Sequence, residues 1–216
     1  MQIFPAIITT KIKRKKGHWK KQLKEVNKFK IKKIGLFLTG IGFNERNELY
    51  KELEKSCVNE IVLIHLRHDF REEEINYFFN KFKTRLFNCH EQHINSFYKK
   101  FAKYKKLIFM ELNADNVIKT NIEPTALCVD LTHLYLAKIR NAKEYEYSIK
   151  RKVKVNHLNG FNTKTQEDSH FIKNKSQFNF LKEIPKKMIS NTIVLEMENT
   201  IKKQLEYKEY LLKLLS

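Results

Sequence analysis

Short runs of β-branched and aromatic residues recur along the chain, and between them apolar residues fall three and four apart on a polar background. The first run, Gln2–Ile8, precedes a basic segment in which Trp19, Leu23 and Val26 share one helical face. Lys33–Thr39 is a second run, and Asn44 is a candidate N-cap for a helix over Glu45–Lys55. Glu60–Leu66 is the third, followed by Arg71–Phe82 with Ile75, Phe78, Phe79 and Phe82 on one face. Arg85–His90 leads into a helix through Asn95–Lys103, and Lys106–Leu112 is the fifth run. The segment from Asn113 to Thr125 contains Pro124 and leaves room only for a helical turn. Ala126–Leu131 then precedes helical spacing over Leu134–Ser148, and Val153–Leu158 is the seventh run. A polar loop carries the chain to Asp168 and His170, and Phe178–Ile189 reads as a helix interrupted near Pro185. Thr192–Glu196 is the last run, and Thr200–Leu215 is an amphipathic closing helix.

Strands alternating with helices in this way define an α/β chain, and eight of them with few glycines predict a compact parallel (β/α)8 TIM barrel. The barrel would occupy residues 1–216 as one domain, with an open parallel sheet of seven or eight strands as the alternative. No glycine-rich phosphate fingerprint follows the first strand, which argues against dinucleotide binding.

Charge adds a partner class. The 216 residues include 43 Lys and Arg against 24 Asp and Glu, a formal net charge of +19. Such an excess favours a polyanion, either a nucleic acid or a phosphorylated small molecule. Solvated lysine faces in a chain rich in Lys, Asn and Ile are the bland alternative. Three scattered cysteines, Cys57, Cys89 and Cys128, form no C-x-x-C pair and point to a reducing, cytoplasmic compartment. The apolar amino terminus is short and lacks a preceding basic region, so it reads as a strand, and no membrane partner is expected.

In a barrel the reactive face lies at the carboxyl ends of the strands, so the residues ending each run carry the chemistry. Those positions hold His65, His90, Glu111, Asp130, His157 and Glu196, with His133, Asp168 and His170 just beyond. All offer nitrogen or oxygen donors suited to zinc, manganese or a similar divalent ion. Of the eight histidines, only His18 falls away from a strand end. Taken singly, His65 or His90 fits a satisfied core histidine, Asp130 a helix cap, Asp168 a turn and Glu196 a lysine partner. Together they converge on one face, where burying several carboxylates without a cation is costly. His68 and His93 compete with His65 and His90, and Glu198 with Glu196. Cys89 and Cys128 read as packing residues, and the basic run Lys11–Lys16 as a solvated loop with phosphate binding a minor alternative.

These segments resemble a family. I-V-L-I-H at Ile61–His65, L-F-N-C-H at Leu86–His90, M-E-L-N at Met110–Asn113 and C-V-D-L-T-H at Cys128–His133 are similar, in order, to xylose-isomerase-like barrels. H-L-N at His157–Asn159, D-S-H at Asp168–His170 and V-L-E at Val194–Glu196 extend the resemblance over nearly the whole chain, and within that superfamily it is nearest the endonuclease IV group of abasic-site DNA-repair enzymes. The resemblance implies a metal-dependent phosphodiester hydrolase acting on abasic or damaged DNA with up to three ions, usually zinc, with manganese an alternative. It places Glu111 as a carboxylate bridging two metals, with His65 and His90 completing the first position. Asp130, His157 and Glu196 would complete the second, and His133, Asp168 and His170 the third. Catalysis falls to Glu111 and Glu196. The chain departs from the family where H-L-N-D reads H-L-N-G, with Gly160 in place of an acid, and where the glycine-containing stretch after D-x-H is absent from Phe171–Phe180.

Sugar and sugar phosphate isomerases and epimerases of the same superfamily resemble the chain at Glu111, Asp130, His157 and Glu196. There one divalent ion would polarise a hydroxy-ketone while two carboxylates move protons, and His133 would touch substrate. One-metal isomerisation does not require His65, His90, Asp168 and His170, which favours the hydrolase. A non-catalytic basic barrel that binds nucleic acid through charge is the third class.

Overall fold

The computed structural model describes residues 1–9, 18–113 and 122–216. The basic run at 11–16 and most of the expected turn at 113–125 lie outside the described residues. The strands are β1 (Gln2–Phe4), β2 (Ala6–Ile8), β3 (Lys33–Phe37), β4 (Glu60–His65), β5 (Phe87–His90), β6 (Ile108–Glu111), β7 (Leu127–Asp130), β8 (Val153–Leu158), β9 (Gly160–Asn162), β10 (Glu167–Ser169) and β11 (Thr192–Leu195). The helices are α1 (His18–Lys28), α2 (Phe43–Glu54), α3 (Glu72–Lys81), α4 (Glu91–Lys100), α5 (Leu131–Arg140), α6 (Ala142–Ile149) and α7 (Ile201–Leu215).

Nine parallel strands form one sheet in the order β1-β11-β8-β7-β6-β5-β4-β3-β2. Pairing of β1 with β11 and of β2 with β3 excludes the open sheet, because β1 and β2 are halves of the one N-terminal run, divided at Pro5. The result is an α/β barrel, nearly closed and flanked by helices, of the TIM kind. Each of the eight sequence runs contains a strand of this wall.

Strand alternation sorts side chains into two cores. Ala6, Ile8, Phe37, Leu63, Phe109, Cys128, Val155 and Val194 pack together inside the barrel. Ile7, Leu36, Ile64, Cys89 and Met110 instead join the larger cluster with helical residues such as Trp19, Leu49, Phe78 and Phe97.

The split strand leaves backbone groups without ladder partners, and two glutamines supply them. From α7, Gln204 Oε1 accepts from the Ala6 amide at 2.8 Å, and its Nε2 donates to the Ala6 carbonyl at 3.0 Å and the Asn199 carbonyl at 3.1 Å. From α1, Gln22 Oε1 accepts from the Ile8 amide at 3.0 Å, and its Nε2 donates to the same Asn199 carbonyl at 3.1 Å. Side chains thus stitch the seam where the ladder is interrupted.

Several local features differ from the sequence expectation. The helix expected over Leu134–Ser148 is broken at Asn141, whose side chain accepts from the Glu144 amide and caps α6. Residues 175–183 and 186–188 form 3-10 turns rather than an α-helix, because Asn174 caps the first and Pro185 stands between the two. The loop after β8 is an antiparallel hairpin of β9 and β10. Asn44 lies inside the first turn of α2, and Gly42 occupies the N-cap position.

Gly35 sits on the inner face of β3, where a Cβ would lie 2.1 Å from Val194 Cγ1 and 3.3 Å from the Ala6 Cβ. Valine has no flexible end to swing away, so the wall has to move. Gly35→Ala is expected to destabilise the barrel by about 1–3 kcal/mol, read as a lower urea midpoint; an unchanged midpoint would contradict this packing.

Candidate metal centre

The polar layer of the barrel begins two residues after the inner apolar one on several strands. Val155 is followed by His157, Cys128 by Asp130, Phe109 by Glu111, Leu63 by His65 and Val194 by Glu196, so strand alternation gives each pair the same inward parity. Register places neighbours side by side: His90 opposite Glu111, and Asp130 opposite His157. Phe37 forms the floor, its ring edge-on to His157 with centroids 4.8 Å apart.

Glu111 is the centre of the inner set and is fully enclosed. Its Oε2 lies 3.3 Å from Nδ1 of His65 and its Oε1 lies 3.5 Å from Nδ1 of His157. The same His157 nitrogen lies 3.5 Å from Oε2 of Glu196. A second set adjoins it toward the mouth. His170 Nε2 is 3.2 Å and His133 Nε2 is 3.7 Å from Oδ2 of Asp168, while His133 Nδ1 is 4.0 Å from Asp130 and His170 Nδ1 is 4.0 Å from Glu196. Asp168 comes from the hairpin, on β10, so the antiparallel pairing that the sequence did not suggest is what delivers it.

Among the described residues, three groups offer converging ligand atoms within 4.8 Å of one another: His65, Glu111 and His157; Glu111, Asp130 and His133; and Asp130, His157 and Glu196. The last matches a set expected from the resemblance. The first differs, with His157 in place of His90. The imidazole of His90 stacks edge-on against His65, with centroids 4.7 Å apart, and its Nδ1 is buried without a hydrogen-bond partner. His133, Asp168 and His170 stand together through the contacts above. Glu196, not Glu198, reaches His157; the backbone of Glu198 instead bonds to His170 and to the His18 ring. His68 and His93 face one another with centroids 6.1 Å apart and belong to none of the three groups.

Three residues at this end escaped the sequence reading. His18, set apart from the strand ends, lies 3.0 Å from the Glu198 carbonyl. Asn159 donates to Asp130 Oδ2 at 2.9 Å, and Asn88, also inward from β5, bonds to both His65 and Glu111. Parity with His90 was the available signal for Asn88. Gly160 has a packing role: a Cβ there would lie 2.4 Å from Ile172 Cδ1 and 3.3 Å from Gln177 Cβ, so any side chain at the hairpin base has to push the Ile172 methyl aside.

Electrostatics follow the geometry. Burial opposes ionisation of Glu111, yet His157 and His65 outweigh it and hold the carboxyl well below its usual range. Burial likewise opposes charge on His157, but Cys128 and Glu111 raise its pKa well above the ordinary value. Asp130 is raised by burial, with Glu196 and Glu111 adding to the effect against His133. Against burial, Asp130 and Asp168 lift His133 to about 10, and Glu196 and Asp168 lift His170 to about 9. Asp168 is held far below its usual value by those two imidazoles. His90 is the exception: burial lowers it to about 4, leaving a neutral ring.

The loops at the mouth are braced by a buried ion network. Arg46, fully enclosed on α2, donates to both carboxylate oxygens of Glu74 on α3 at 2.8 and 3.0 Å and to Asp69 at 3.1 Å. Tyr50 donates to Glu74 at 2.6 Å, and Arg67 bonds to Asp69 and to the Thr39 carbonyl. The segments leaving β3 and β4 are thereby held together.

The residues present fit a divalent cation. Imidazole nitrogens and carboxylate oxygens are the donors that zinc and manganese take. Both ring nitrogens of His157, Nδ1 of His90 and of His133, and Oδ1 of Asn88 are buried without a hydrogen-bond partner, a concentration of unpaired polar atoms that a cation and its waters would relieve. Fold and donor set thus define a class, an α/β barrel with a buried histidine-carboxylate cluster at the carboxyl ends of its strands. Comparison of the chain with family models, curated proteins and solved structures finds no match. No helix among the described residues is long and apolar enough to cross a membrane.

In the metal-free protein His133 and His170 carry their charge at neutral pH. Their raised values contribute stability that is complete below the unfolded histidine value of about 6.5 and is lost as pH rises through about 9 and 10. The depressed Asp168 contributes above the unfolded aspartate value of about 4 and loses it as pH falls. Buried His90, held down at about 4, works the other way and loses its contribution as pH falls below about 6.5. Metal-free stability is therefore expected to peak at about pH 6 and to decline toward pH 10. Metal loading has to displace the histidine protons, so zinc should raise the melting temperature more at pH 8 than at pH 5.5. Titration calorimetry in buffers of different ionisation heat should show net proton release; heats independent of buffer would contradict the assignment.

Proposed function

We propose that this barrel is a divalent-metal-dependent phosphodiester hydrolase similar to endonuclease IV, acting on DNA that contains abasic or otherwise damaged sites. The observation that carries this reading is the second carboxylate-imidazole set, Asp168 with His133 and His170, joined to the inner cluster through Asp130 and Glu196. A one-metal reaction has no use for it. The net charge of +19 supports a polyanionic substrate, since lysines and arginines around a barrel mouth hold phosphates and release counterions.

His65, Glu111 and His157 would hold one ion, Asp130, His157 and Glu196 a second, and His133, Asp168 and His170 a third. Divalent ions bound there supply Lewis acidity, acidifying a water and offsetting charge on the phosphoryl and leaving oxygens. Glu111 turns its two oxygens toward different imidazoles, the disposition of a carboxylate shared between neighbouring positions. Glu196 stands between His157 and His170 and so links the inner set to the outer one. The buried floor at Phe37 excludes water beneath the cluster and strengthens every interaction above it.

The inner set also supports a second reading. Glu111, Asp130, His157 and Glu196 are all buried and alone would suffice for a one-metal sugar or sugar phosphate isomerase or epimerase. Elemental analysis of protein purified anaerobically without chelators separates the readings, with close to three ions expected alongside nicking of a duplex carrying an abasic site. His170→Ala should lose one ion, and both it and Glu111→Gln should lose at least about a hundredfold in nicking rate, the scale of a few kcal/mol of lost transition-state stabilisation. One ion without nicking, together with ketose-aldose interconversion, would establish the isomerase. No ion at all would leave a basic barrel that binds nucleic acid by charge.

A further inference from the structure

Two segments that belong to no strand meet at the mouth, residues 170–174 after the hairpin and residues 196–200 between β11 and α7. Four hydrogen bonds join them. The Glu198 amide donates to the His170 carbonyl at 2.7 Å, and Nδ1 of His170 lies 3.2 Å from the Glu196 carbonyl. Ile172 is taken by a single side chain: Oδ1 of Asn199 accepts from the Ile172 amide and Nδ2 of Asn199 donates to the Ile172 carbonyl, both at 2.9 Å.

The partners fix both orientations. A carbonyl only accepts, so Nδ1 of His170 carries a proton, and Nε2, 3.2 Å from Asp168, is the atom left for an ion. The Asn199 amide meets an N–H on one side and a C=O on the other, and turning it over would set acceptor against acceptor and donor against donor. Asn199 is buried, and its own carbonyl accepts from Nε2 of Gln22 and of Gln204 at 3.1 Å each, so the bracket is mounted on α1 and α7. It supplies to Ile172 the two bonds that a neighbouring strand would otherwise provide.

We infer that Asn199 is a positioning residue for the outer ion position: by bracketing Ile172 it holds the arm that carries Asp168 and His170, and so keeps the His170 ring on the Glu196 carbonyl with Nε2 turned to Asp168. The inference rests on reading the cluster as a metal centre. Asn199 coordinates nothing itself. Two of the three outer donors ride on this arm, whereas the inner donors stand on wall strands or directly beyond one, so loss of the bracket acts on one position and spares the other. Removing such a partner of a ligand histidine weakens metal binding about 10–100-fold.

The test titrates zinc into the full chain labelled with 15N in its histidines, with His170→Ala assigning the His170 signals. In the wild type, Nε2 of His170 should take the shift of a coordinated nitrogen while Nδ1 keeps its proton. Asn199→Ala should need about 10–100-fold more zinc for that shift and lose the fixed Nδ1–H, while His65 and His157 respond at the wild-type zinc concentration. A merely structural role would lower the urea midpoint and either leave every zinc affinity of the folded protein unchanged or weaken all of them alike; both results would overturn the inference. Asn199→Asp is isosteric, keeps the acceptor for the Ile172 amide and removes only the donor, so it decides the matter if the alanine variant fails to fold. Its added negative charge by itself favours a cation, so weaker zinc binding at His170 reports the lost donor, and unchanged or tighter binding overturns the inference. A wild-type protein that takes up no zinc would instead overturn the metal centre, and the Nδ1–H signal of His170, kept or lost on substitution of Asn199, would still decide whether Asn199 holds that ring.

Discussion

Three carboxylates, those of Glu111, Asp130 and Glu196, are buried around the single imidazole of His157, and the upper half of the barrel is arranged to make that tolerable. Like charges this close repel strongly where water is excluded, so each carboxylate has its own relief. Glu111 is flanked by His65 and Asn88. Asp130 accepts from the Thr132 and His133 amides at 2.7 and 3.0 Å at the start of α5, where the helix dipole also favours it. Glu196 has His157 on one side and His170 on the other. Strand register brings these groups together, and the imidazoles hold them together.

Six of the eight runs were legible twice over, by their apolar pattern and by a histidine or carboxylate where the run ends. Phe109 and Glu111, or Val155 and His157, share a parity that a period of two dictates, so the ligand-type residues could be placed at the mouth before any coordinates were known. Their grouping was legible only in part: Asp130, His157 and Glu196 form the set expected from the resemblance, whereas the approach of His157 to Glu111 was not expected. Which histidine approaches Glu111 depends on where the inward side chains converge: His157 reaches it from β8, one strand beyond the neighbouring β7, whereas His90 on the adjacent β5 packs against His65 instead. Asn88 was overlooked because an amide two residues before a histidine looks like an ordinary strand residue until its parity is counted.

Helix character was legible where apolar spacing ran unbroken, as in α2, α3 and α7. It failed where local polar chemistry competes with the helix. Asn141 satisfies the Glu144 amide and restarts the chain as α6, and Asn174 with Pro185 keeps residues 175–188 in tight 3-10 turns although Phe178 and Leu181 are correctly buried. The hairpin that carries Asp168 has polar strands of three residues, too short to show alternation. Its anchoring is instead visible in Gly160, the position at which the family resemblance departs: with no side chain there, Ile172 and the Gln177 stem close over the hairpin base.

The seam at Pro5 bears on how the chain comes to be a barrel. The Ala6 backbone is bonded to Gln204, 198 residues further on, and β1 finds its partner only in β11, so the first strand waits for nearly the whole polypeptide before its second edge is covered. An uncovered edge offers a template for pairing with another chain during that interval. Proline in the middle of the strand has no amide hydrogen to offer such a partner, and it divides the edge into two pieces of three residues. The same residue that interrupts the finished wall therefore protects the unfinished one.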